Sequence, residues 1–209
     1  STRETISLSQ KAKELGADAL SILSPYYVAV TQEDIYNYFS EIAENVNLPI
    51  LLYNIPGRTG NNINYKTVAR LAKYKNIVGV KDSSGNFDNT LRYIENTDER
   101  LSILSGNDSL ILWTLMAGGC GAIAGTSNLF PELLAKIYKL WKKGDIVQAN
   151  ILQKKLRPIR DVMQMGNPNS VIKRGMSFLG YKVGLARRPV SGVNDKLDSA
   201  LKKALELYK

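Results

Sequence analysis

Helix-patterned and strand-patterned segments alternate five times within the first 125 residues, and no other feature of this sequence narrows the fold as far. The spacing predicts helices over residues 5–15, 31–45, 65–72, 88–94 and 109–116. Each is followed by a short apolar run, at 19–23, 49–53, 77–81, 101–104 and 121–125, of the length a buried strand needs. The punctuation agrees. Gly16 closes the first helix, Ser24-Pro25 ends the first strand, and Thr31-Gln-Glu-Asp34 offers an N-cap with acidic residues in the first turn. Residues 54–60, dense in turn formers, are expected to be a loop. Further helices are expected at 131–143, 146–156, 158–165, 171–179 and 195–208. Strands separated by helices pair in parallel through right-handed crossovers, so the fold class is α/β.

Two architectures fit, an open doubly wound sheet or part of an eight-stranded barrel. No Gly-x-Gly-x-x-Gly follows a strand, which leaves dinucleotide binding unsupported. A closed (β/α)8 TIM barrel needs eight strands, and five are visible, corresponding to about strands 4–8. A helix opens the chain with no strand before it, so the missing part is expected to precede Ser1. The expected organisation is a partial barrel over residues 1–144 and a C-terminal helical extension over 145–209.

Composition removes whole classes of chemistry. The chain has no histidine and one cysteine, Cys120, so Ser-His-Asp and Cys-His mechanisms, histidine-ligated metals and internal disulfides are absent. A single cysteine is compatible with a reducing cytoplasm. No apolar run approaches the roughly 18 residues of a membrane span. The net charge of +9 is uneven: residues 136–209 hold 17 Lys/Arg against 5 Asp/Glu, and residues 1–135 hold 11 against 14. These lysines interleave with apolar residues at helical spacing. Leu133, Leu134, Ile137, Leu140 and Trp141 share one face, with Lys136, Lys139, Lys142 and Lys143 off it, so they read as solvated helix faces rather than a nucleic-acid surface.

The remaining nucleophiles collect at strand ends. Lys81 ends the apolar run Ile77-Val-Gly-Val80, and Asp82-Ser-Ser-Gly85 then signals a loop. An unpaired buried ammonium is costly, so a lysine there either snorkels to water or serves as an amine nucleophile. The first strand delivers Ser24-Pro-Tyr-Tyr27 and the second Tyr53 and then Arg58. The fourth delivers Ser105-Gly-Asn-Asp108 and the fifth Gly125-Thr-Ser-Asn128. A lysine, tyrosines and an arginine at neighbouring strand ends can converge on a small anionic carbonyl compound. The lysine would form a Schiff base, a tyrosine would move protons, and the arginine would clamp a carboxylate.

Tyr53-Asn-Ile-Pro-Gly-Arg-Thr-Gly60 and Gly79-Val-Lys-Asp-Ser-Ser-Gly85, with 28 residues from Tyr53 to Lys81, resemble the two signatures of the dihydrodipicolinate synthase / N-acetylneuraminate lyase family. Ser24-Pro-Tyr-Tyr27, Ser105-Gly-Asn-Asp108 and Gly121-Ala-Ile-Ala-Gly-Thr-Ser-Asn128 are similar to further family segments in the same order, so the resemblance spans nearly the whole chain. It implies a pyruvate-dependent class I aldolase on a (β/α)8 barrel, in a homotetramer or dimer, with no metal or cofactor. It further implies that Lys81 forms an imine with pyruvate or another 2-keto acid and that Tyr53 carries protons. Tyr27 would reach a neighbouring subunit's site as part of a proton relay, and Arg58 would meet the carboxylate of an aldehyde partner. Gly106 and Ile123 match backbone positions near the bound pyruvate, and Ser83 stands beside the lysine. The family's first three strands, with a Gly-Thr-Thr-Gly-Glu loop that holds the pyruvate carboxylate, have no counterpart here. Arg58, and Ser109 where sialic acid lyases carry a glutamate, favour condensation of pyruvate with aspartate semialdehyde. The alternatives are a 2-keto-3-deoxy sugar-acid or N-acetylneuraminate-type aldolase releasing pyruvate, and a non-catalytic binding protein. No nucleic acid or membrane partner is expected, and the location expected is cytoplasmic.

Overall fold

The computed structural model describes residues 1–190 and 194–208. They form two compact units, Ser1–Ile123 and Ala124–Lys209. In the first unit the order is α1 (Thr2–Glu14), β1 (Leu20–Leu23), α2 (Gln32–Asn45), β2 (Ile50–Asn54), α3 (Pro56–Thr59), α4 (Tyr65–Leu71), β3 (Ile77–Asp82), α5 (Phe87–Glu95), β4 (Ser102–Ser105), α6 (Ile111–Met116) and β5 (Gly121–Ala122). All strand pairings are parallel, in the order β1-β2-β3-β4-β5.

The helices start where side chains can satisfy their first N–H groups. Thr31 and Asp34 close a capping box on α2, and Asn64 and Asn86 cap α4 and α5. Between them the apolar stripes meet the sheet. Ile35, Phe39 and Ile42 of α2, Val68 and Leu71 of α4, and Ile50, Leu52, Ile77 and Val80 of the strands are all fully buried in one cluster. At about 1.5–3 kcal/mol for each such side chain, this cluster is what fixes the strands side by side.

Three elements depart from expectation. Residues 54–60 are not a plain loop, because Pro56 sits in the first turn of α3 and Gly60 closes it in the left-handed region at φ 77°. β3 runs one residue past Lys81, since Asp82 still pairs in register with Ser105 and its carbonyl accepts from Gly106 N at 2.7 Å. β5 is two residues long rather than five. Its glycines and alanines carry little to bury, and the chain turns into a 3₁₀ segment at Gly125–Asn128.

In the second unit come α7 (Pro131–Lys142), α8 (Ile146–Lys155), α9 (Arg157–Met163), α10 (Pro168–Phe178) and α11 (Asp195–Glu206). Ile159, Val162, Met163, Val171, Leu197 and Leu201 form its core with Leu129. Arg174 of α10 grips Asp198 of α11, Nε to Oδ1 at 2.9 Å, and this bond holds the Asp198 carboxyl below its ordinary range. On α7 the expected stripe turns inward, with Ile137 buried and Leu133, Leu134, Leu140 and Trp141 half-buried. Lys136, Lys139, Lys142 and Lys143 are exposed.

Candidate active site

The register of β2 against β3 sets Tyr53 directly beside Lys81. Both side chains are half-buried, and the Lys81 Nζ lies 3.8 Å from the centre of the Tyr53 ring. The face of a tyrosine ring attracts an ammonium at this range. Lys81 and Tyr53 thus meet at two neighbouring strand ends.

The next residue, Asp82, is 3% exposed and accepts five hydrogen bonds. Asn54 Nδ2 and Ser84 N reach Oδ1, both at 3.0 Å. Ser84 Oγ, Asn89 Nδ2 and Thr90 Oγ1 reach Oδ2 at 3.0, 3.2 and 2.7 Å. None of these donors is a cation. Asn54, itself fully buried, passes the network on, donating to Asn62 Oδ1 at 2.9 Å and accepting from Ile63 N at 3.0 Å. One carboxylate thus ties together the ends of β2 and β3, the loop after β3 and the start of α5. Below it Tyr93 is buried and donates its hydroxyl to Ile63 O. Burial, and then the Asp82 charge, push the Tyr93 hydroxyl well above the ordinary phenol range. From the sequence Asp82 reads only as the start of a loop, and Asn54 carries no site signal at all. The Asn-x₇-Asn and Asp-x₇-Thr spacings were visible but signal nothing without the fold.

Ser83 is half-buried, with its N–H donating to Asn54 O at 2.8 Å. Gly106, at the end of β4, comes so close that an added Cβ would lie 1.9 Å from Ser83 Oγ, which is why the position has no side chain. Ile123, after β5, donates its N–H to Ser105 O at 2.9 Å, and its side chain is 44% exposed. Lys81, Tyr53, Ser83 and Gly106 thus gather at neighbouring strand ends, and Ile123 stands one strand further along. Arg58 lies exposed in the last turn of α3 and makes no ion pair among the described residues.

Tyr27 is apart from this group. It is 97% exposed at the tip of the loop after β1, and it is the one non-glycine at positive φ among the described residues, at 75°. That conformation costs an L-residue roughly 1–2 kcal/mol. The loop is held from beneath by Asn61, whose side chain bonds Pro25 O, Val28 O and Val30 N at 2.8, 2.9 and 3.0 Å.

A cavity of about 910 Å³ in the first unit lies elsewhere, between α1, β1 and α2, and does not include Lys81. Its lining includes Leu8, Leu20, Ile22 and Tyr38 among hydroxyls and carries no lysine. Among the described residues no group of three or more His, Cys, Asp or Glu side chains could hold a metal ion. Among the described residues no helix is long and apolar enough to cross a membrane.

Comparison with known proteins bears on the chain as a whole. The model of the dihydrodipicolinate synthetase family matches residues 1–207. The chain is 39% identical over 180 residues to the 4-hydroxy-tetrahydrodipicolinate synthase of Thermodesulfovibrio yellowstonii, an alignment covering 86% of this chain and 62% of that one. It is 38% identical to the synthase of the same name from Methanopyrus kandleri, over 99% of this chain and 69% of the relative. Among solved structures it is similar to YagE, a protein of the dihydrodipicolinic acid synthase family from E. coli K12, determined in complex with pyruvate. The TM-score is 0.94 at 32% identity, over 99% of this chain and 72% of that one. The chain therefore spans about two thirds of the length of these relatives.

Proposed function

The chain belongs to the dihydrodipicolinate synthetase family, and from that premise we propose that it is a Schiff-base-forming lyase that condenses pyruvate with aspartate semialdehyde. The observation that carries this reading is the side-by-side placement of Lys81 and Tyr53, an amine and a phenol at adjacent strand ends. The Lys81 nitrogen adds to the keto carbon of pyruvate, and the keto oxygen leaves as water once it has taken two protons, giving a protonated imine. The imine draws electrons from the neighbouring methyl group, which gives up a proton and becomes the carbon nucleophile. That carbon bonds to the aldehyde carbon, whose oxygen takes up a proton. Tyr53 carries protons to and from the reacting oxygens, and Tyr27, presented outward, serves as a relay in a neighbouring subunit's site. Arg58 meets the carboxylate of the aldehyde partner, while Ser83, Gly106 and Ile123 border the bound pyruvate.

The same reading makes the five consecutive parallel strands members of a (β/α)8 barrel, supported by their sequential order and their alternation with helices. The barrel would take in residues 1–144, since α7 continues the strand-then-helix alternation after β5, and residues 145–209 would form a helical extension. A homotetramer or dimer working in the cytoplasm, without metal or cofactor, completes the proposal.

Borohydride reduction in the presence of pyruvate, followed by peptide mass analysis of the full-length protein, tests it. A reduced pyruvyl adduct is expected on the peptide containing Lys81, and Lys81→Ala should abolish both adduct and turnover. Tyr53→Phe should lower kcat roughly 10²–10⁴-fold. An unmodified Lys81 in active protein would sink the mechanism. Turnover of 2-keto-3-deoxygluconate without aspartate semialdehyde condensation would replace the synthase reading with the sugar-acid aldolase.

A further inference from the structure

We infer that Asn61 is the positioning residue for Tyr27, fixing the backbone that presents it and joining it to the Arg58 turn as one body. The loop between β1 and α2 contains no regular structure over residues 24–31, so its peptide groups must find partners outside a ladder. Asn61 supplies them. It is 5% exposed, and its amide nitrogen gives both hydrogens to Pro25 O and Val28 O, at 2.8 and 2.9 Å. Its amide oxygen accepts from Val30 N at 3.0 Å. One side chain thus gathers three backbone groups lying on both sides of Tyr27.

Drawing two carbonyls three residues apart onto one nitrogen folds the chain into a tight turn, and Tyr27 near its apex takes the left-handed conformation, φ 75°. The tyrosine side chain is 97% exposed, so where it points is set by the backbone beneath it. Asn61 is itself anchored. Its N–H donates to Thr59 Oγ1 at 3.2 Å, and its carbonyl accepts from Thr59 Oγ1 at 2.9 Å and from buried Ser24 Oγ at 3.5 Å. Thr59 follows Arg58 on α3, so the loop bearing Tyr27 and the turn bearing Arg58 move together. The catalytic consequence rests on the relay role proposed above for Tyr27.

The test uses full-length protein carrying Asn61→Ala, Asn61→Asp, Tyr27→Phe and the Asn61→Ala/Tyr27→Phe pair. Asn61→Asp keeps the shape but loses both donors, and it serves if the alanine variant does not fold. In Asn61→Ala, which removes its acceptor, the Val30 amide should exchange roughly 10-fold faster or more, with the amides of β2 and β3 unchanged, whereas Asn61→Asp keeps that acceptor and is read in kcat. The pyruvyl adduct on Lys81 should form as in wild type, while kcat for condensation falls roughly 10–100-fold at unchanged KM for pyruvate. In the Tyr27→Phe background the Asn61 substitution should change kcat less than about 2-fold, because both act through one side chain. Unchanged Val30 protection in Asn61→Ala, wild-type kcat in both Asn61 variants, or losses that simply multiply would each overturn the inference. If Tyr27→Phe alone leaves kcat intact, the relay role fails instead, and Val30 exchange then decides whether Asn61 holds the loop.

Discussion

Asp82 shows how much one side chain organises here. Its two oxygens accept five bonds from neutral donors on β2, α5 and the intervening loop, in a site shut off from water. Hydrogen bonds to a charged acceptor are worth more than neutral ones, and stranding their donors costs the full desolvation of each. Asp82→Asn turns one acceptor atom into a donor facing donors. It is expected to destabilise the protein by roughly 2–4 kcal/mol in denaturant unfolding, and an unchanged midpoint would refute the account. Tyr93 gives a pH signature at the same place. Its native hydroxyl ionises far above the unfolded value near 10, so its contribution is complete below about pH 10 and is lost as pH rises beyond it. Tyr93→Phe should flatten the alkaline fall in stability. At pH 7 it should lose only about 0.5–1.5 kcal/mol for the bond to Ile63 O, as unfolding curves at the two pH values would record.

At the scale of elements, β3 is the strand on which the site depends, and Gly79 sets its fit. The sequence shows a glycine interrupting a β-branched run, which reads as a weakness. In the fold an added Cβ would stand 2.4 Å from Ser102 O of β4 and 2.9 Å from Leu51 Cδ1 of β2. The glycine is therefore what lets β4 approach. Gly79→Ala should cost roughly 1–3 kcal/mol by overpacking, visible as a lower Tm, and should slow imine trapping at Lys81 two residues on. Elements with strong signals emerged where the sequence put them, the capped helix α2 and the apolar strand β2 above all, and β3 exceeded its expected end by one residue only. The two that departed further had weak local signals. α3 hides in a Pro-Gly turn, and β5 is too poor in side chains to hold a long ladder.

For the whole molecule the uneven charge is the feature that invites a nucleic-acid reading. The lysines of α7 are exposed opposite an inward apolar stripe, spread along the helix to keep it solvated. Fluorescence anisotropy with duplex DNA should show weak binding that changes little between 50 and 200 mM salt. A fall of roughly 10³-fold or more over that range would mean a true phosphate-tracking surface.

What the sequence determined by itself was whatever a local period or a local composition can carry. Alternating helical and strand patterns required a parallel α/β sheet, the absence of histidine removed two families of mechanism, and the strand ends nominated Lys81, Tyr53 and Arg58. What only the tertiary structure decided was which of these meet and what holds them. Tyr53 faces Lys81 through strand register, Asn54 reaches Asp82 across 28 residues, and Asn61 reaches Pro25 across 36. Hydrogen bonds of that kind depend on distance and direction between distant segments. No periodicity records them, so the residues that position the chemistry stayed silent until the sheet was assembled.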